Sequence, residues 1–293
     1  MSTLKQSKTL SGGKNNIFLK REDLQPIFSF KLRGAYNKIS KIKKKGSKRP
    51  VIAASAGNHA QGVALSARKL RTKAIIVMPK TTPSIKIDAV FRLGGEVVLH
   101  GNSYDDASEH AKSLASERTL TFIPPYDHPL VIAGQGTVGL EILEQAHSEI
   151  DAIFVPVGGG GLIAGCALAA KYFGDNCTVI GTEPFEVDDA YRSLISGKIE
   201  TNITTNTIAD GLRTQLGDKN FPIILNEVKK IIRITEDEII DSMKLIWQRL
   251  KIICEPSCSL PLAGIIKNKD EFKGKKIGVV ITGGNIDLDN LPF

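Results

Sequence analysis

The stretch Ser29-Phe30-Lys31-Leu32-Arg33-Gly34-Ala35 follows a strand-like run, Ile17-Phe18-Leu19-Lys20, and a polar break, Arg21-Glu22-Asp23. It opens a helical pattern that continues through Tyr36 and Ile39. A lysine set between Phe30 and Leu32, at the start of a helix, is an unusual place for a cation. Apolar or cationic surroundings disfavour the ammonium form and leave the amine nucleophilic. Such an amine can form a Schiff base with a carbonyl cofactor. The plainer alternative is a surface lysine whose stem lies along the helix and whose charge reaches water.

Working outward from Lys31, strand and helix patterns alternate. Residues 50–54, 73–78, 96–99 and 121–123 read as strands; 58–70, 83–93, 103–117 and 131–145 read as helices. Beyond them come a strand at 152–157, a helix at 162–173 and a strand at 178–181. Residues 184–228 carry weaker patterns, helical at 188–195 and 221–228. A strand at 229–234 leads to Thr235 and Glu238, spaced as a capping box, and to Ile239, Met243, Ile246 and Leu250 on one helical face. A short helix at 261–266 and a strand at 276–281 close the pattern. The alternation predicts an α/β fold of largely parallel open sheets covered by helices.

A chain of 293 residues, 42% hydrophobic and 24% charged, has the composition of a soluble globular protein with one large or two modest domains. The apolar run 74–78 is too short to span a bilayer, and residues 1–14 are polar, with no secretory h-region. Cys166, Cys177, Cys254 and Cys258 lack zinc-site spacing and read as reduced thiols. A cytoplasmic protein with no membrane partner is expected. The net charge of +8 has its densest source between Lys38 and Arg49, where seven cations occur without an acid. That run has no interleaved aromatics and ends a helix, so a solvated helix end is expected, with no nucleic-acid partner. A nucleic-acid binder using this run is the rival outside enzymes.

Two glycine-bearing turns suit anions. Ala54 leads into Ser55-Ala56-Gly57-Asn58-His59-Ala60-Gln61-Gly62, a turn entering a helix, where free N–H groups and the helix dipole favour a carboxylate or phosphate. The plain reading is a strand-to-helix turn capped by Asn58. Val155-Pro156-Val157 runs into Gly158-Gly159-Gly160-Gly161-Leu162, whose backbone can approach a phosphate closely. Gly159, Gly161 and Ala164, with Glu183 beyond, also fit a dinucleotide fingerprint, so an NAD-dependent dehydrogenase is a competing reading. Ile281-Thr282-Gly283-Gly284-Asn285 follows a strand, where Thr282 can simply end it. The loop from Glu183 to Asp189 offers carboxylates, as a hard cation needs, or is a solvated acidic loop.

Arg21-Glu22-Asp23-Leu24-Gln25-Pro26, followed by Ser29 to Ala35, resembles the cofactor-lysine segment of the threonine dehydratases. These belong to the serine/threonine dehydratase–serine racemase family of fold type II pyridoxal-phosphate (PLP) enzymes, which are tryptophan synthase β-like. The string from Ser55 to Gly62, Ile208-Ala209-Asp210-Gly211-Leu212, Pro124 to Pro129 and Gly134-Gln135-Gly136-Thr137 extend the resemblance over nearly the whole chain. It implies two lobes: a large cofactor-binding domain of residues 1–48 and 130–293, and a small substrate-carboxylate domain of residues 49–129.

The resemblance also implies roles. Lys31 carries PLP and is the catalytic base, and Phe30 packs on the ring. Ser55, Ala56, Gly57, Asn58 and His59 hold the substrate carboxylate, and Asn58 also bonds the ring hydroxyl. Gly158, Gly159, Gly160, Gly161 and Leu162 bind the phosphate, and Thr282 meets the ring nitrogen. Glu183, Asp189 and the Val187 carbonyl take Mg²⁺ or Ca²⁺, or a monovalent cation. The implied enzyme is a threonine ammonia-lyase that also takes serine, converts L-threonine to 2-oxobutanoate and ammonia, and assembles as a homodimer or homotetramer. Alternatives within the family are a 3-hydroxyaspartate dehydratase and a serine racemase; racemases carry a serine where this chain has Ala56. The chain has fewer residues before Ile17 than is usual in the family and ends at Phe293. The expectation is therefore no separate effector domain and no cooperative inhibition by isoleucine.

Overall fold

Strand and helix alternate as expected, and the strands sort into two sheets. The computed structural model describes residues 2–6, 16–147 and 149–293; of the N-terminal stretch read as lacking a signal, residues 7–15 lie outside these. Two short strands begin the chain: Leu4–Gln6 (β1) pairs antiparallel with Asn16–Arg21 (β2), Leu4 opposite Lys20. Two compact units follow from the chain's course, residues 31–134 in one and residues 1–30 with 135–293 in the other.

The smaller unit opens with α1 (Lys31–Lys44) and continues as β3 (Val51–Ala54), α2 (Asn58–Lys69), β4 (Ala74–Met78), α3 (Ser84–Arg92), β5 (Glu96–Leu99), α4 (Tyr104–Glu117) and β6 (Thr121–Phe122). Its sheet is wholly parallel in the order β5-β4-β3-β6. Every residue of β3 and β4 is buried, because helices cover both faces of a parallel sheet. Ala35, Ile39, Ala60, Val63 and Ala64 of α1 and α2 pack on one face, and Ala107, Ala111 and Leu114 of α4 on the other.

The first division between units falls at Phe30/Lys31, where the expected lobe boundary lies at 48/49. The reason is the packing of α1. Gly62 of α2 sits against the first turn of α1 so closely that a Cβ there would lie 3.1 Å from the Lys31 carbonyl carbon and oxygen. Gly46, two residues before the expected boundary, lies in the turn that ends α1.

Helix α5 (Pro129–Gln145) leads into the larger unit. There follow β7 (Ala152–Pro156), α6 (Gly161–Phe173), β8 (Thr178–Pro184), α7 (Asp189–Ser196), α8 (Phe221–Glu227), β9 (Val228–Ile234), α9 (Glu236–Leu245), α10 (Leu260–Lys267) and β10 (Lys276–Ile281). The sheet runs β1-β2-β10-β7-β8-β9, parallel from β2 onward. Phe154, Ile180 and Ile232 face Ile239, Met243 and Ile246 in its core. The capping box of Thr235 and Glu238 is formed at both bonds. The helix it starts ends sooner than the apolar spacing suggests: Ile246–Leu250 widens into a π-turn, and Lys251 stops it with φ 57°.

Lys20 lies in this unit with no exposure. Its ammonium donates to Glu141 Oε2 at 2.7 Å, Gln145 Oε1 at 2.9 Å and the Ser2 carbonyl at 2.8 Å. A buried pair that loses one partner leaves an uncompensated charge. Lys20→Met should cost about 3–5 kcal/mol in urea unfolding. Lys20→Met/Glu141→Leu should recover most of it, since both charges then leave the interior.

Candidate active site

In the smaller unit, the chemistry-bearing residues stand at the carboxyl ends of the strands. Strand β3 ends at Ala54, and the turn after it is fixed by the Ser55 hydroxyl, which accepts from the Gly57 N–H at 3.2 Å. Gly57, and not Asn58, is the N-cap of α2; Asn58 is its first helical residue, and no side chain caps the helix. The first-turn N–H groups of α2 therefore have no side-chain acceptor at the cap, as an anion site at a helix start requires. Ser55, Ala56, Gly57 and Asn58 are half-buried and His59 is buried.

Three nitrogens meet the backbone that follows β6. Lys31 Nζ donates to the Pro125 carbonyl at 3.1 Å, His59 Nε2 to the Ile123 carbonyl at 2.9 Å, and Lys38 Nζ to the Phe122 carbonyl at 2.9 Å. Burial, and then the charge of Lys31, push the His59 imidazole down to about 3, so it is neutral. Burial alone brings the Lys38 amine down to about 8. Lys38 is thus no part of a solvated helix end: it is 6% exposed and turned inward, while Lys41, Lys44 and Lys45 remain in solvent.

In the larger unit, β10, β7 and β8 are neighbours, and their carboxyl ends bring Thr282, the glycine loop and Glu183 to one edge of the sheet. Open α/β sheets bind ligands at this edge. The loop 158–161 is wholly buried. Gly160 holds φ +81°, and a Cβ there would lie 2.5 Å from Asn220 Oδ1. Asn220 Nδ2 also donates to the Gly159 carbonyl at 2.7 Å, fastening the loop from behind. No side chain caps α6, which begins at Gly161. Phe30 comes beside Thr282: its N–H donates to the Thr282 carbonyl at 3.1 Å, next to a bridge between Ser29 and Gly283. The Thr282 hydroxyl is 2% exposed and lies 3.1 Å from Cys258 Sγ.

Glu183 argues against the dinucleotide reading. It has no exposure, and its two carboxylate oxygens accept the Ala190 and Tyr191 N–H groups at 3.0 and 2.9 Å, at the start of α7. A ribose ligand would need those oxygens facing outward. Burial, and then the charge of Asp189, raise Glu183 well above the usual carboxylate range. Burial raises Asp189 to about 6. Asp189 Oδ2 accepts the Leu216 N–H at 3.0 Å, and Oδ1 is buried with no hydrogen-bond partner among the described residues. Val187 is buried in the same turn. Among the described residues, no three His, Cys, Asp or Glu side chains converge as a metal cluster.

Sequence reasoning missed Asn220, Cys258 and the inward turn of Lys38. Nothing marks Asn220, 59 residues beyond Gly161, as the loop's fastener. Lys38, seven positions after Lys31, does lie on the same helical face, and that spacing was the available signal.

The sequence pattern of the pyridoxal-phosphate dependent enzymes matches residues 2–283. The chain belongs to that family. Its cofactor is pyridoxal phosphate, and the buried, side-chain-free loop at the start of α6 fits a phosphate. Among family members, the biosynthetic L-threonine dehydratase of Pasteurella multocida is 46% identical over 95% of this chain and 55% of its own. The L-threo-3-hydroxyaspartate ammonia-lyase of Saccharomyces cerevisiae is 42% identical over 93% of this chain and 83% of its own. The chain spans about half the length of the curated dehydratases it first matches. Among solved family structures, the processed form of threonine deaminase isoform 2 from Solanum lycopersicum has a TM-score of 0.94 and 41% identity, covering 98% of this chain and 85% of its own. No helix of the described residues is long and apolar enough to cross a membrane.

The neutral, buried His59 sets an acid limit. Unfolded, it binds a proton near pH 6.5; folded, only near 3. The unfolded state therefore binds more protons between those values, and stability falls as pH drops through them. Urea melts between pH 7 and pH 4 should show wild-type stability falling faster than that of His59→Gln, which does not titrate there. A difference that stays flat over this range would contradict the assignment.

Proposed function

We propose that this chain is a threonine ammonia-lyase domain, with L-serine as a second substrate. The observation that carries the reading is the Lys31 amine, fixed at the start of α1 and bonded to the Pro125 carbonyl beside the buried, neutral His59. Pyridoxal phosphate, when bound, supplies an electron sink that acidifies the α-C–H of an amino acid. Lys31 would hold the cofactor and, with its amine free, would serve as the base for the α-proton. The turn from Ser55 to Asn58 and the start of α2 hold the substrate carboxylate, and Asn58 orients the ring through its hydroxyl. Gly158 to Leu162 hold the phosphate, Phe30 packs on the ring and Thr282 bonds its nitrogen. The β-hydroxyl would leave with a proton as water, and the unsaturated product would take up water to give 2-oxobutanoate and ammonia. The L-threonine dehydratases and the L-threo-3-hydroxyaspartate ammonia-lyase among the relatives support this reading. The same resemblance extends to a homo-oligomeric assembly and to isoleucine biosynthesis in the cytoplasm.

Elimination is favoured over racemisation by Ala56. Racemisation needs a second acid–base group opposite Lys31. The Ala56 methyl can neither give nor take a proton. Lys31→Ala should abolish the bound-cofactor absorption band and turnover, and borohydride should tag Lys31 in the wild-type protein. With L-serine, pyruvate should form far faster than D-serine by chiral chromatography, and Ala56→Ser should raise the D-serine share. A tag on another lysine would overturn the role of Lys31; D-serine at the pace of pyruvate would overturn the one-base argument.

The loop from Glu183 to Asp189 is a proposed cation site. Glu183, Asp189 and the Val187 carbonyl are its proposed ligands, and the unpartnered, buried Asp189 Oδ1 is the atom a cation would satisfy. Chelator should lower the melting temperature, with Mg²⁺ or Ca²⁺ restoring it. An unchanged melting curve would remove the cation from this reading.

A further inference from the structure

The carboxyl ends of the strands in the smaller unit carry the candidate chemistry, and the opposite edge gathers charge. In a parallel sheet the helices return their C-termini to the edge where the strands begin. Lys41, Lys44 and Lys45 end α1, and Lys48 and Arg49 lead into β3. Arg68 and Lys69 end α2, and Arg71 and Lys73 lead into β4. Arg92 ends α3, and Arg118 follows α4. Hydrogen bonds tie these segments side by side: Val51 N–H to the Lys73 carbonyl, the Thr72 hydroxyl to the Arg49 carbonyl, Thr121 N–H to the Pro50 carbonyl, and the Arg68 guanidinium to the Arg92 carbonyl. These eleven cations are all exposed, and none is in an ion pair among the described residues. Two acids, Glu96 and Glu117, share the edge.

The whole chain has 39 cations and 31 acids, so this one edge holds as much net charge as the entire protein. Helix dipoles account for part of it, since cations favour C-terminal turns. They do not account for Lys48, Arg49, Arg71 and Lys73, which lie beyond the helix ends. Four strand starts separated by about 4.8 Å span about 14 Å, long enough to follow consecutive phosphates of one nucleic-acid strand. Phe91, 55% exposed in the last turn of α3 beside Arg92, adds a face on which a base can stack. The sequence run alone suggests a solvated helix end; the fold adds Arg68, Lys69, Arg71, Lys73, Arg92 and Arg118 to it.

We propose that this edge binds the phosphate backbone of single-stranded nucleic acid, without sequence preference and apart from the candidate active site. The test is fluorescence anisotropy with a labelled 20-nucleotide RNA of mixed sequence and the cofactor-loaded protein. Binding should weaken with salt at a log–log slope of about −3 to −6, at least about sixtyfold from 50 to 200 mM. Lys44→Glu/Arg49→Glu/Arg71→Glu/Lys73→Glu should weaken binding at least about twentyfold, with melting temperature and keto-acid production unchanged. The four glutamine substitutions at these positions, free of new repulsion, should make the salt slope shallower by about 3. Absence of saturable binding at 50 mM salt would overturn the proposal, as would variants that bind like the parent. So would polyglutamate competing as well as unlabelled RNA at equal charge, which would give the edge to an acidic protein.

Discussion

Lys31 can serve as a reactive amine only if its backbone is held fast while its side chain stays free to leave one partner for another. The structure meets both demands with one close approach. Gly62 lets α2 press on the peptide of Lys31, so the first turn of α1 cannot shift without pushing α2 off the sheet. The amine itself donates to a neutral acceptor, the Pro125 carbonyl. That carbonyl belongs to a segment containing Pro124 and Pro125, which have no N–H groups to donate. The segment therefore presents acceptors to α1 and α2, and Lys38 and His59 anchor it at two of them. Release of Lys31 leaves both anchors in place.

The strands, the helices and the two glycine turns were legible because they follow period and composition. The all-apolar runs 51–54 and 74–78 announce strands covered on both faces, and Thr235 with Glu238 announces a helix start. The losses have physical causes. Strand β1 has three residues and gains its order from pairing with β2, far beyond any local periodicity. The π-turn at Ile246 to Leu250 keeps an apolar spacing that looks helical and departs only in hydrogen bonding. Lys38 was read by its charge, when its position on the buried face of α1 decided its fate.

The site residues were legible to different depths. Gly158 to Gly161 proclaim an anion loop by lacking side chains, but phosphate and dinucleotide readings share that signal. What separates them is the environment of one carboxylate 22 positions later. Glu183 spends both oxygens on the start of α7, a tertiary arrangement that no spacing rule specifies. Similarly, Asn58 has the composition of a cap and lies one residue inside the helix.

Thr282 bears on the proposed elimination through its surroundings. Its hydroxyl faces the Cys258 sulfur at 3.1 Å, and that thiol is itself fixed, donating to the Gly283 carbonyl at 2.7 Å and accepting the Gly283 N–H at 3.0 Å. Burial, and then the charge of Glu255, hold the thiol well above its usual range, so it remains uncharged. Sulfur is a weak acceptor, and a neutral thiol makes little claim on the Thr282 proton. The hydroxyl is thus left able to donate to a stronger acceptor, such as the pyridine nitrogen of the proposed cofactor site. A ring so bonded draws electrons less than a protonated one, so charge left at an α-carbon is poorly stored. On the proposed reading, loss of the β-hydroxyl would outpace return of a proton, and Ala56 offers no group to return it from the far face.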